Sequence, residues 1–269
     1  MPRKDWLFPG ITAAKREWKM KALGVDIGGS GIKGALVDVK RGKMTGDRYR
    51  IPTPRPATPD AVIKTVNKIR RHFKYKGPLG VGFPGIVVDG VTHSAVNIHP
   101  EWYLFPAEEA IAKATGCEVL VRNDADVAGY AEKSFGAGKK ARSETMIFTL
   151  GTGIGTTMFV NKKCVPNLEM GHIYLPGHKE DAEIYTSDRT RKEQDLSWKE
   201  WGRRLNEYFQ HIEFLFSPQL IIIGGGVSKK SDNFLKYIKL KNAKIVPAKL
   251  LNEAGIIGAA TAAASDGDF

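Results

Sequence analysis
Three glycine-dense turns and a dispersed set of carboxylates, imidazoles and amides are the residues of this sequence with chemistry to offer. The turns are Gly28-Gly29-Ser30, Gly151-Thr152-Gly153 and Gly224-Gly225-Gly226, each at the end of a short apolar run. Glycines at such turns let backbone N–H groups converge on an anion, because no side chain blocks the approach. Phosphate is the anion this chemistry suits. Asp26 and Lys33 flank the first turn. Asp124 follows the apolar run EVLVRN and begins a helical pattern, so it is either an ordinary helix cap or a carboxylate placed to take a proton. Glu169 and His172, in NLEMGH, are groups able to accept hydrogen bonds from hydroxyls.

The elements that must position these groups follow from periodicity. ALGVDIGG and IKGALVDV read as two strands of a hairpin. Gly29, Gly31 and Gly34 also match G-x-G-x-x-G, but that dinucleotide fingerprint needs a helix next, and ALVDV is short, β-branched and followed by the turn Arg41-Gly42-Lys43. No Walker loop occurs. Glycines that merely tighten hairpins are the plainer reading, and three such turns together weigh against it. The first hairpin, DIGGSGIKGALVD, recurs in form as TLGTGIGTTMFVN, which predicts two related half-domains facing a shared cleft. Further strands are expected in LGVGFPG, EVLVRND, ETMIFTLG and QLIIIGGG. Helices are expected from Asp60, as its cap, to Lys74, from Asp124 to about Glu132, from Trp198 to Phe216 and from Ala254 to Ala264. This mixture indicates an α/β protein.

Composition narrows the function classes. The chain has 269 residues, 42% hydrophobic and 26% charged, with 41 Lys and Arg against 29 Asp and Glu, a formal charge of +12. The first nineteen residues contribute five basic and two acidic side chains, so the body holds most of the excess. Polyanions are the partners such a balance favours. No apolar run is long enough for a membrane span or a signal peptide. Cys117 and Cys164 have neither disulfide nor zinc spacing, and a cytoplasmic location is expected.

In order from Lys21 to about Ala264, the glycine hairpins, GVGFPGIVVDG, the Ala95-Val96-Asn97 turn, RNDADVAGYAE, NLEMGH, LSWKEWGRRLNEYF, EFLFSPQL and NEAGIIGAA resemble the ROK-type sugar kinases, in their polyphosphate glucokinase branch. The resemblance implies a two-lobed, actin-like ATPase fold with duplicated ribonuclease H-like domains and a cleft between them. It divides the chain into an extension (1–19), a small N-terminal lobe (20–124), a large C-terminal lobe (125–253) and a helix at about 254–269 packing back on the small lobe. It implies transfer of the terminal phosphoryl group of inorganic polyphosphate, ATP or both to the 6-hydroxyl of glucose, with mannose as a further acceptor. An ATP-only hexose or N-acyl-hexosamine kinase and a non-enzymatic polyanion-binding protein are the alternatives. A ROK repressor would need a DNA-binding domain, for which the first twenty residues are too few.

The same resemblance assigns roles. Asp124 is the implied catalytic base and Asp26 holds Mg²⁺ through water. Gly28, Gly29, Ser30, Lys33 and the Gly151-Thr152-Gly153 turn close on the phosphates, and Gly224-Gly225-Gly226 is the nucleoside-contact turn. Gly82, Pro84 and Gly85 line the sugar pocket, Asn97 and Asn123 bind sugar hydroxyls, and Glu169, His172 and Glu183 hold the other side, with Glu180 the alternative to Glu183. A metal site from Glu169, His172 and His178 competes, but most ROK proteins place zinc cysteines just beyond this histidine and none follows Cys164, so no structural zinc is expected. Lys139, Lys140, Arg142, Lys229 and Lys230 are the expected polyphosphate track. A homodimer without specific nucleic acid or membrane partners completes the expectation.

Overall fold
The computed structural model describes residues 21–95 and 98–265, so the expectations for the extension, for Asn97 and for the last four residues lie outside the described residues. The first sheet contains β1 (Lys21–Gly28), β2 (Gly31–Asp38), β3 (Lys43–Met44), β4 (Tyr49–Ile51), β5 (Leu79–Phe83) and, beyond the small hairpin of β6 (Val87–Val88) and β7 (Val91–Thr92), β8 (Val119–Asn123). The second contains β9 (Thr145–Leu150), β10 (Ile154–Val160), β11 (Lys163–Leu168), β12 (Leu220–Gly224) and β13 (Lys244–Pro247). The spatial orders are β3-β2-β1-β5-β8 and β11-β10-β9-β12-β13, with β4 pairing β2 off the first path. In both sheets the first three strands are antiparallel neighbours and the last two join in parallel. The likeness of the two glycine hairpins is thus a likeness of whole sheets, with β1–β2 and β9–β10 in equivalent places.

Helices cover the sheets. They are α1 (Pro59–His72), α2 (Ala107–Thr115), α3 (Asp124–Ser134), α4 (Ala182–Thr186), α5 (Asp188–Glu193), α6 (Trp198–Phe216) and α7 (Ala254–Ala264). α1 starts one residue before the expected cap: Thr58 takes that place, its hydroxyl accepting from the Ala61 N–H, and Pro59 fills the first helical position, where no N–H is missed. α6 buries Trp201, Leu205, Tyr208, Phe209 and Ile212 along one face and is closed at its start by a capping box between Ser197 and Glu200. Those side chains form the second core with Phe148, Ile221 and Ile223. The first core gathers Leu23, Val25, Val66, Ile69, Phe83 and Trp102.

α7 returns from the end of the chain to the first sheet. Its sequence, AGIIGAATAAA, is rich in the best helix former and buried almost all round, packing on β1, β5 and α3. Gly80 in β5 allows the approach, since a Cβ there would collide with the Ala259 carbonyl. No helix among the described residues is long and apolar enough to cross a membrane.

Candidate active site
Asp124 stands at the junction of β8 and α3. Asn123 has the extended backbone of a cap, and its Oδ1 accepts from the N–H groups of Ala125 at 2.8 Å and Asp126 at 3.1 Å. Asp124 is therefore the first helical residue, which corrects its reading as the cap. Its half-buried carboxylate accepts from the Ala125 N–H at 2.8 Å. Burial pushes its pKa up to about 7, aided by the negative charges of Asp26, Glu169 and Asp126 and opposed by the Ala125 N–H.

Asp124 lines two cavities at once. The larger, 490 Å³, also contains Gly29, Pro84, Gly85, Asn123, the Gly151–Gly153 turn, Glu169, His172 and Glu183. The smaller, 170 Å³, contains Asp26, Lys33, Gly224 and Gly225. β-Pairing explains the convergence, because Gly82 of β5 lies between Asp26 of β1 and Arg122 of β8. Asp26 faces Lys33 across the hairpin at 3.5 Å, and burial raises its pKa against the lowering effect of that lysine. Gly82 itself is buried in the strand and lines neither cavity, whereas Pro84 and Gly85 line the larger one.

In the larger cavity, His172 Nδ1 is 2.9 Å from Asp181 Oδ2, and this bond, more than any other influence, raises the histidine pKa. Burial raises Glu169, with His172 opposing. Glu183 reaches the second glycine turn, its Oε2 accepting from the Ile154 N–H at 2.8 Å, whereas Glu180 is exposed and lines none of the described cavities. Asn123 is largely committed to the protein, since its Nδ2 also donates to the Gly85 carbonyl at 3.1 Å, leaving one N–H to offer a ligand. His178 turns to Glu207 at 2.7 Å, away from the partner of His172.

The turns divide their work. Gly28 and Ser30 present their carbonyls to Thr53 at 2.5 Å and Arg50 at 2.6 Å, so Gly29 alone of these three lines the cleft. In the second turn Gly151 donates to the Gly153 carbonyl at 2.9 Å, while the N–H groups of Thr152 and Gly153 take no hydrogen-bond partner among the described residues. Gly225, at φ 82°, carries the third turn against β9, where a Cβ would strike the Leu150 backbone. Of the expected track, Lys139, Lys140, Arg142 and Lys229 are exposed and line none of the described cavities; Lys230 lines a third cavity beside Gly226.

Residues 22–184, which include Asp26, Asp124, Glu169, His172 and Glu183 of this cleft, match the family model described as the ROK family. The chain belongs to the ROK family. It is 39% identical over 259 residues to a polyphosphate glucokinase of Mycobacterium tuberculosis, covering 96% of this chain and 95% of that relative. Among solved structures it resembles the inorganic polyphosphate/ATP-glucomannokinase from Arthrobacter sp. strain KM, with 44% identity, a TM-score of 0.87 and coverage of 92% and 100% of the two chains. It also resembles a ROK family glucokinase from Streptomyces griseus solved with glucose and AMPPNP, with 25% identity, a TM-score of 0.78 and coverage of 91% and 99%.

The cleft contains hydrogen-bond partners that the sequence reading missed. Asp181, which orients His172, also caps α4 through the Ile184 N–H at 2.9 Å, and that capping role is its only local signal. Asp126, buried behind Asp124, accepts from the Asn167 N–H at 2.9 Å, and burial lifts its pKa to about 6. Asn167, at φ 59°, then spans to the other sheet's side with its amide: Nδ2 donates to the Val87 carbonyl at 2.9 Å and Oδ1 accepts from the Val87 N–H at 3.1 Å. This clasp ties the end of β11, just before Glu169, to β6, just after Gly85. Eighty residues separate its ends, and no spacing rule reveals it.

Proposed function
We propose that this chain is a cytoplasmic ROK sugar kinase that moves the terminal phosphoryl group of inorganic polyphosphate, or of ATP, to the 6-hydroxyl of glucose, with mannose as a further acceptor. One observation carries the reading most directly: Asp124 borders both the cavity of Glu169 and His172 and the cavity of Asp26 and Lys33. A base for a sugar hydroxyl must face acceptor and donor together. The names of the polyphosphate glucokinase and glucomannokinase relatives supply the donor and acceptor classes.

Glucose held by Glu169, His172, Glu183 and the remaining Asn123 N–H presents its 6-hydroxyl to Asp124. Asp124 takes the hydroxyl proton as the new O–P bond forms and the bond to the next phosphate breaks, releasing a polymer one unit shorter or ADP. The Thr152 and Gly153 N–H groups face the donor phosphates, and Lys33 balances their charge. Enclosure matters because water is a competing acceptor.

The residues fit a hydrated Mg²⁺. Asp26 and Asp124 place two mutually repelling carboxylates on one cavity, yet the described residues hold no cluster of three or more His, Cys, Asp or Glu for an all-protein cage. A cation of this kind is held by one or two carboxylates, substrate phosphates and water. Asp26 would hold it through water, and when bound it neutralises charge on the donor phosphates.

The test is glucose 6-phosphate formation from polyphosphate and from ATP at two salt concentrations. Product from polyphosphate, falling as salt rises, is expected. Absence of product from both donors refutes the reading, and product from ATP alone refutes the polyphosphate assignment.

A further inference from the structure
Beside the central cleft lies a cavity of 610 Å³ whose walls carry four cations, Arg189, Arg191, Lys192 and Lys230, against two carboxylates, Asp188 and Glu193. It shares Leu150, Gly151, Thr152 and Gly226 with the cleft, so the two spaces meet at the second and third glycine turns. The Arg189 N–H donates to the Gly151 carbonyl at 3.2 Å, which fixes α5 to the turn that faces the donor phosphates.

The cations are organised rather than scattered. Asp188, its side chain 8% exposed, grips Arg191 at 2.8 Å and Lys192 at 2.6 Å from below. Arg191 lies over the Trp198 ring at 4.2 Å, and Phe234 stacks near-parallel on the same indole. Lys230 Nζ also lies 5.9 Å from this ring, so the indole is engaged within the protein. Arg189 and Lys230 are exposed and have no carboxylate within 4.0 Å among the described residues. Such a wall suits a chain of phosphates better than a base, since guanidinium and ammonium groups bind phosphate oxygens directly.

We propose that this cavity is the distal subsite for the phosphate polymer: Arg189, Arg191, Lys192 and Lys230 hold the phosphoryl groups that follow those at the glycine turns. The proposal rests on the polyphosphate reading above and names where the polymer runs. It also replaces most of the expected lysine track, retaining Lys230 alone.

The experiment compares the full-length protein with the double variant Arg189→Ala/Lys230→Ala. Binding of long-chain polyphosphate, pyrophosphate and ATP is measured by calorimetry across salt, and KM is measured for long-chain polyphosphate and ATP with glucose. The expected result is a loss of about tenfold in long-chain affinity and a salt dependence shallower by about 1.4 in log–log slope, as for two lost contacts to a single-stranded polyanion. Pyrophosphate, too short to leave the glycine turns, is expected to change less than twofold. The charge-retaining variant Arg189→Lys/Lys230→Arg is expected to keep long-chain affinity within about threefold, which separates charge from misfolding, and Lys68→Ala/Arg71→Ala on α1 controls for net charge. Unchanged long-chain affinity in the alanine variant overturns the proposal. An equal loss for ATP and polymer overturns it too, assigning the cavity to a nucleotide. If the unmodified protein makes no glucose 6-phosphate from any donor, the functional reading fails, and polymer binding still decides the subsite.

Discussion

Asp124→Asn separates function from stability in a way the structure makes quantitative. The carboxylate is held where burial and neighbouring negative charge lift its pKa from 3.8 to about 7. The folded state therefore binds the Asp124 proton more tightly than the unfolded chain does. Its penalty is absent below about pH 4, grows as pH rises through the interval from about 4 to 7, and is complete above that. The full displacement corresponds to about 4 kcal/mol, and about 2–4 kcal/mol is the expected range because one face of the side chain opens onto the cleft. Asparagine carries no charge, keeps an oxygen for the Ala125 N–H, and leaves the Asn123 cap untouched. Urea unfolding at pH 8 should accordingly find the variant more stable by about 2–4 kcal/mol, with the difference vanishing near pH 4. Glucose phosphorylation should fall by about 10²- to 10⁴-fold in kcat, the size of a general base, with glucose affinity nearly unchanged. A variant less stable at pH 8, or one that keeps more than a tenth of its turnover, refutes the reasoning.

Three further outcomes are expected. The acid limb of kcat/KM should lie near pH 7, and Asp26→Asn should move it to lower pH, because removing a negative neighbour lowers the Asp124 pKa; a limb that stays in place in the pH–rate profile contradicts the coupling. Asn167→Gly suits the left-handed backbone at φ 59° but deletes the amide clasp on Val87, so the glucose KM should rise several-fold while kcat changes less than about threefold in steady-state assays. Burial raises the Glu213 pKa, but the carboxylate accepts from the Lys241, Asn242 and Ala243 N–H groups at 2.8, 2.7 and 2.7 Å, which together hold it below the usual value, so Glu213→Ala should cost about 2 kcal/mol at pH 7 in thermal or urea unfolding. That contribution is present above about pH 4.5 and is lost as pH falls further through the lowered pKa, so the variant and the parent should converge in acid.

Local pattern carried the strands and their glycine turns, because alternation and chain reversal are properties of a few adjacent residues. The long helix α6 was equally legible from its apolar face and its Ser197-to-Glu200 cap. Elements with little apolar signal were not. α2 has only Ile111 as a large buried anchor, β11 carries Pro166 in an irregular ladder, and α4 and α5 are one-turn pieces held by Asp181 and Ser187 caps. The roles of Asp26, Asp124, Glu169 and His172 were suggested by family likeness. What lay beyond reach were the partners across space: Asp181 on His172, Asn167 on Val87, and Asp188 beneath two cations. The basic excess pointed to a polyanion, but the choice among lysines depended on which of them the fold brings to a cavity wall.

The return of α7 to β1 and β5 has a consequence for how the protein is made. Ribosomes emit the first sheet early, yet Ile256, Ile257 and Ala260, which cover it, and Gly255, which lies against Asp26, are translated only after the whole second sheet. At roughly 5–20 residues per second, the stretch from Asn123 to Ala254 leaves the apolar face of the first sheet uncovered for about 7 to 26 seconds while the second lobe is synthesised. Nascent chains halted before residue 254 should therefore engage holding chaperones through the first sheet even when the second lobe has already folded.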